Sequence, residues 1–177
     1  MEKKKPTMII IMILLGLLLT VWYTQPKTPL TALENRYMGK KESVLRYSSL
    51  IKQIDIDSKT SLLFYYNGNR NVNCAVVEKK ISRYKIINVS AELSENKEVL
   101  RVGLHGSAYD KGTKWIYFGI IYDGSVEKVV WNDIEATRFS SLDLDMFYAI
   151  GDGEFEGEEY YIYDSNDNKL DHHRLVK

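Results

Sequence analysis

Residues 8–23 are apolar apart from Gly16 and Thr20, and Lys3, Lys4 and Lys5 precede them, two residues upstream. Inside a bilayer every backbone amide must find its partner within the segment, so a run of this kind inserts only as a helix. At ~1.5 Å per residue it spans roughly 24 Å, short of the ~30 Å hydrocarbon core. Trp22 and Tyr23 suit the outer interface and Lys5 can snorkel at the inner one. Local thinning absorbs the remaining mismatch. Lysines ahead of the apolar run stay on the cytoplasmic side, so whatever follows lies outside the cytoplasm. The competing reading is a cleaved signal peptide, which needs small residues at a cleavage site just past the apolar core. Residues 21–26 read Val-Trp-Tyr-Thr-Gln-Pro, and the first alanine beyond is Ala32. A buried helix of a soluble domain is the third alternative. The expected organisation is a cytoplasmic n-region at 1–7, an uncleaved signal-anchor transmembrane helix at 8–24, a stalk at 25–30 and one extracytoplasmic domain at 31–177. The location is the cell membrane, with a single pass.

About 150 residues after the anchor suffice for one domain with its own core. Thirteen tyrosines favour strands and half-buried surfaces. A single cysteine, Cys74, rules out an internal disulfide framework. It stands in the apolar run Cys74-Ala75-Val76-Val77, where it reads as a small buried hydrophobe. Net charge is zero, yet residues 1–88 hold 15 Lys/Arg against 6 Asp/Glu, and residues 89–177 hold 9 against 18. Such asymmetry either marks an interaction surface or is neutralised across neighbouring strands of one sheet.

Prolines at 26 and 29 predict a short stiff stalk. Val44, Tyr47, Ile51 and Ile54 recur at the spacing of one helix face, and Glu42-Ser43 suits a helix start, which predicts an amphipathic helix within 31–54. Strand patterns follow at 62–66, 74–77, 84–89, 99–104, 115–122, 126–131, 147–150 and 160–164. Asn67-Gly68 opens an asparagine-rich hairpin loop. Asp123-Gly124 predicts a type I′ turn that would set Ile121 opposite Val126, Phe118 opposite Val129 and Ile116 opposite Trp131. Both faces of that hairpin are apolar, so it should be central and covered on both sides. The fold class expected is α+β: the transmembrane helix, one short amphipathic helix, and a curved antiparallel meander of seven to nine strands. A closed β-barrel or a two-sheet sandwich is the alternative.

The best site candidate is Asp152-Gly153-Glu154-Phe155-Glu156-Gly157-Glu158-Glu159. Asp152, Glu154, Glu156 and Glu158 place carboxylates at alternate positions, and glycine stands sixth, as in a Ca²⁺ loop. Position twelve is Tyr163 rather than glutamate, so a solvated acidic loop competes. Asp164-Ser165-Asn166-Asp167-Asn168 reads as a polar turn. Cys74 with His105 lacks an orienting third group and an oxyanion signature. His172 and His173 would point to opposite faces of a strand, a poor chelating pair. Lys79-Lys80-Ile81-Ser82-Arg83-Tyr84-Lys85 is basic and suits an anionic polymer or a membrane surface. An extracytoplasmic site argues against nucleic acid. Asn88-Val89-Ser90 matches a glycosylation sequon. With no phosphate-binding glycine loop, zinc spacing or serine-hydrolase elbow, the sequence predicts a non-enzymatic binding module. Its partner would be a protein or an envelope polymer, it would carry no cofactor, and an accessory Ca²⁺-binding role is the alternative.

Overall fold

The computed structural model describes residues 4–81, 83–94, 100–131, 133–153 and 159–172. Among them the helices are α1 (Lys4–Thr24) and α2 (Pro29–Tyr37). The strands are β1 (Tyr47–Asp55), β2 (Thr60–Asn67), β3 (Val72–Lys80), β4 (Arg83–Leu93), β5 (Val102–Tyr109), β6 (Lys114–Ile121), β7 (Lys128–Trp131), β8 (Ile134–Glu135), β9 (Thr137–Ser141), β10 (Leu144–Asp152), β11 (Tyr160–Tyr163) and β12 (Lys169–Leu170). They form three antiparallel sheets, ordered β1-β2-β3-β4, β5-β6-β10-β9 and β12-β11-β7-β8, and no closed barrel. The single meander of seven to nine strands is thus corrected to a stack of three sheets, of which only the first is a simple meander.

The stack follows from the two-residue period of strands that are apolar on both faces. In sheet 1, Leu63, Tyr65, Ala75, Val77 and Ile86 face Ala32, Leu33 and Tyr37 of α2. On the opposite face, Leu62, Phe64, Val72, Cys74 and Val76 meet Ile116, Phe118, Ile120 and Met146 of sheet 2. The other face of sheet 2 turns Ile121 and Phe147 toward Val126, Val129 and Ile162, and Trp115 and Tyr117 toward Trp131. The order is therefore α2, sheet 1, sheet 2, sheet 3.

The expected amphipathic helix is short and earlier than its pattern implies. Thr28 caps α2 through a reciprocal pair with Thr31, and Pro29 takes the first turn, where its missing N–H costs nothing. Pro29 and Leu30, expected in the stalk, already belong to it. Residues 47–55 are instead a strand. The register of β1 on β2 shifts between Tyr47 and Ser49 and again between Leu50 and Lys52. Those bulges put Tyr47 and Leu50 on the α2 side and Ile51 and Ile54 on the sheet 2 side. Spacings of three and four came from bulges that flip faces, not from one helical face.

The Asp123-Gly124 hairpin is also corrected. β6 is paired on one edge by β5, with Ile121 opposite Val102, and on the other by β10, with Ile116 opposite Ile150. No edge is left for β7, which pairs with β8 and β11. Neither Asp123 nor Gly124 has a positive φ. The Asp123 carbonyl accepts from Val126 N at 3.0 Å and its Oδ1 from Ser125 N at 3.0 Å, so the turn lifts the chain from sheet 2 to sheet 3. The expectation that β6 is central and covered on both faces stands. Its cross-strand partners differ because Tyr117 and Trp131 meet face to face, ring centroids 3.6 Å apart, rather than side by side in one sheet.

Two glycines separate these readings. A methyl group at Gly119 would collide with the Phe147 ring and the Gly103 carbonyl, whereas Gly124 has open space around it. Gly119→Ala should cost ~1–3 kcal/mol or more, as overpacking does, and Gly124→Ala no more than ~0.5 kcal/mol. Urea unfolding of the full-length chain in detergent would measure both; equal losses would reject the sheet stack.

Candidate functional site

The N-terminal end is the least ordinary surface of the molecule. Every large apolar side chain of α1 described, from Met8 to Tyr23, is more than half exposed, in contrast to the buried faces of the three sheets. The hydroxyls within it are satisfied by the helix itself: Thr20 Oγ1 donates to Gly16 O at 2.8 Å and Thr24 Oγ1 to Thr20 O at 3.0 Å. Just beyond, Lys27 Nζ donates to the Trp22 carbonyl at 3.1 Å and lies 4.0 Å over the Trp22 ring. A cation there satisfies a terminal carbonyl and opposes the helix dipole. No single helix among the described residues is long and apolar enough to cross a membrane; residues Met8–Thr24 with Pro29–Tyr37, bent by 101°, reach that length together. The connection is tied to the domain by Tyr84 N, which donates to Pro26 O at 3.0 Å.

Of the four carboxylates expected to hold a cation, Glu154, Glu156 and Glu158 lie outside the described residues. Asp152 ends β10, its side chain 87 % exposed and 3.8 Å from Lys114 Nζ. Gly153 follows at φ +104°, a left-handed conformation that glycine takes without strain, and donates its N–H to Thr113 O. Among the described residues no group of three His, Cys, Asp or Glu gathers as a metal would require. The 164–168 segment is a turn between β11 and β12, as expected. The Asn168 side-chain amide donates to Asp164 Oδ2, and Asn168 N and Asn166 N donate to Oδ1; these bonds hold the carboxyl below the usual range.

Cys74, His105, His172 and the sequon are packed against neighbouring side chains. Cys74 is fully buried in the core between sheets 1 and 2, and burial pushes its thiol well above the ordinary range, away from the reactive thiolate. His105, on β5, is half-buried beside Phe118, ring centroids 6.0 Å apart, and burial lowers its pKa. His172 stacks on Tyr160 at 4.3 Å; His173 lies outside the described residues. Asn88 is half-buried and donates to Ser107 Oγ across the sheet 1–sheet 2 interface, and Ser90 is buried, so the sequon is packed rather than presented.

What sequence reading missed is a pair of adjoining cavities where sheets 2 and 3 separate. One, of about 370 Å³, has Ile121, Val129 and Phe147 with Lys128 and Arg138; the other, about 270 Å³, adds Ile56, Ile134 and Tyr148, and Glu135 and Thr137 line both. Arg138 spans the opening: Nε donates to Asp145 at 2.9 Å and Nη1 to Val126 O at 3.1 Å and Glu127 Oε2 at 3.2 Å. Polar surface outweighs apolar in both, so they are open, polar clefts rather than enclosed apolar pockets. No signal in the sequence marks it, because β8 and β9 are too short and too polar to read as strands.

No protein-family model, no curated protein and no solved structure matches this chain.

His105 gives a pH test. Its folded-state pKa lies below that of the unfolded chain, so as pH falls through ~6.5 the unfolded state takes up the proton first and stability drops. Urea unfolding at pH 7.5 and 5.5 should show a smaller loss on acidification in His105→Gln than in the natural chain. An unchanged pH difference would place the ring in full solvent.

Proposed function

We propose that this chain is a single-pass membrane protein, anchored by residues 8–24, whose β-rich domain stands outside the cytoplasm as a non-enzymatic binding module. The observation that carries this reading is α1, whose apolar side chains from Met8 to Tyr23 are exposed while those of the domain are buried. Fourteen such side chains in water would cost far more than any helix propensity recovers, whereas lipid removes the cost. The helix is about 26 Å long from Met8 to Thr24 at ~1.5 Å per residue, within the range that thinning and interfacial side chains accommodate. The three lysines before it set the orientation. The domain supplies the recess between sheets 2 and 3 for a protein or envelope component, and its one thiol is locked in the core.

The test is topological. In its native membrane the full-length chain should resist carbonate extraction, and protease added from outside should remove everything beyond Tyr23. A soluble product starting between Thr24 and Ala32 would show a cleaved signal instead.

A second reading, an accessory Ca²⁺-binding domain, is favoured by the exposed Asp152 carboxylate followed by the left-handed Gly153 at the start of the acidic segment. Extracellular Ca²⁺ modules bind at ~10⁻⁴–10⁻³ M, so millimolar Ca²⁺ would raise the melting temperature of the full-length chain. The binding-module reading expects no shift. A rise that Asp152→Asn weakens would favour the cation reading.

A further inference from the structure

We infer that the β3–β4 hairpin tip is a second membrane contact, which docks on anionic lipid headgroups beside the anchor and inserts Ile81 among them. The inference rests on the anchor reading above and adds a surface to it.

Lys80 pairs with Arg83 and Lys79 with Tyr84, so Ile81 lies in the turn that joins the two strands. Ile81 is fully exposed, at φ +57°. A β-branched residue is strained in the left-handed region, and asparagine or glycine would suit this turn better. In water the side chain therefore contributes nothing to the turn and nothing to a core. Around it stand Lys79, Lys80, Arg83 and Lys85, all exposed. Glu78 pairs with Lys80 at 3.1 Å, and among the described residues no carboxylate pairs with Lys79, Arg83 or Lys85. The apolar tip with a basic collar is complementary to an anionic interface, where each nearby Lys or Arg contributes ~1 kcal/mol.

Position selects the membrane over other anionic partners. Tyr84, three residues from Ile81, donates its N–H to Pro26 O, and Pro26 is two residues past the end of α1. Three strand residues and two linker residues reach at most ~17 Å together, so the tip stays near the point where the chain leaves the bilayer. Lys59 joins the same end, since its carbonyl accepts from Lys79 N at 2.7 Å, and Lys27 flanks Trp22. Asp57 lies there too, and its carboxylate is engaged by the Lys59 and Thr60 N–H groups. The β9–β10 turn provides an internal contrast. Leu142 is also exposed at positive φ, but its neighbours are Ser140, Ser141, Asp143 and Asp145.

The test uses full-length protein reconstituted in vesicles of phosphatidylcholine alone or with phosphatidylglycerol. An environment-sensitive fluorophore is placed at Ile81→Cys or, as control, Leu142→Cys; the buried Cys74 does not compete for label. The Ile81 probe should shift to the blue and be quenched by lipid-borne quenchers in anionic vesicles only, while the Leu142 probe reports water in both. Charge removal by Lys79→Gln, Lys80→Gln and Arg83→Gln should lower the docked fraction roughly fivefold per residue. A water-exposed Ile81 probe in anionic vesicles, or an equal response at Leu142, would overturn the inference. So would retention of the tip by a soluble anionic polymer in place of the vesicles. Flotation separates the two readings: chain that floats with neutral vesicles while Ile81 stays in water refutes only the docking, and chain that does not float refutes the anchor.

Discussion

Burial of β6 on both faces is the constraint on which the layered structure depends. Ile116, Phe118 and Ile120 look toward sheet 1, and Trp115, Tyr117 and Ile121 look toward sheet 3, all nearly or completely removed from water. Each such side chain contributes on the order of 1.5–3 kcal/mol relative to exposure. A strand with this much apolar surface on both sides is stable only between two layers. Once β5 and β10 occupy its edges, its two hydrogen-bonding sides are full and the next strand must leave the sheet. Gly119 lets the Phe147 ring and the Gly103 carbonyl close on this strand.

The stack also keeps the two charge classes apart. Sheet 1 and α2 come from the basic part of the chain, whereas sheets 2 and 3 come from the acidic part. Neutralisation across strands of one sheet, one of the two readings of the charge asymmetry, is confined to the end of β4, whose residues from Val89 on pair with β3; every other strand pair lies within one part. The basic end of sheet 1 is the end tethered to Pro26, and Asp152, the first residue of the acidic segment, ends β10 of sheet 2.

Polar side chains finish the opposite end of sheet 1. Asn67 Oδ1 accepts from Asn69 N and Asn71 N, shaping the β2–β3 loop, and the side-chain amides of Asn67 and Asn73 both donate to Val44 O at 3.0 Å. Gly68 N donates to Ser43 O. These buried amides hold residues 43–46, which join α2 to β1 and carry no regular structure of their own. The density of asparagine here thus satisfies backbone groups of the loop and of residues 43–46.

Read alone, the sequence was sufficient for features governed by neighbours along the chain. These are the apolar N-terminal helix, the β-rich character, the strands at β2, β3, β4, β6, β7, β10 and β11, the burial of Cys74 and the polar turn at Asp164. Each depends on composition or on a period of two within one segment. Only the tertiary structure decided how strands were shared among sheets. The Asp123-Gly124 signal was local and valid for a turn, but β6 had already given one edge to β5, just before it in the chain, and gives the other to β10, more than 20 residues on. The helix-like spacing at 47–54 was undone by bulges that answer to β2. The recess between sheets 2 and 3 and the placement of the basic tip beside Pro26 arise from contacts distant in sequence. Local pattern reports which side chains need burial; which surfaces bury them is settled by packing competition across the whole chain.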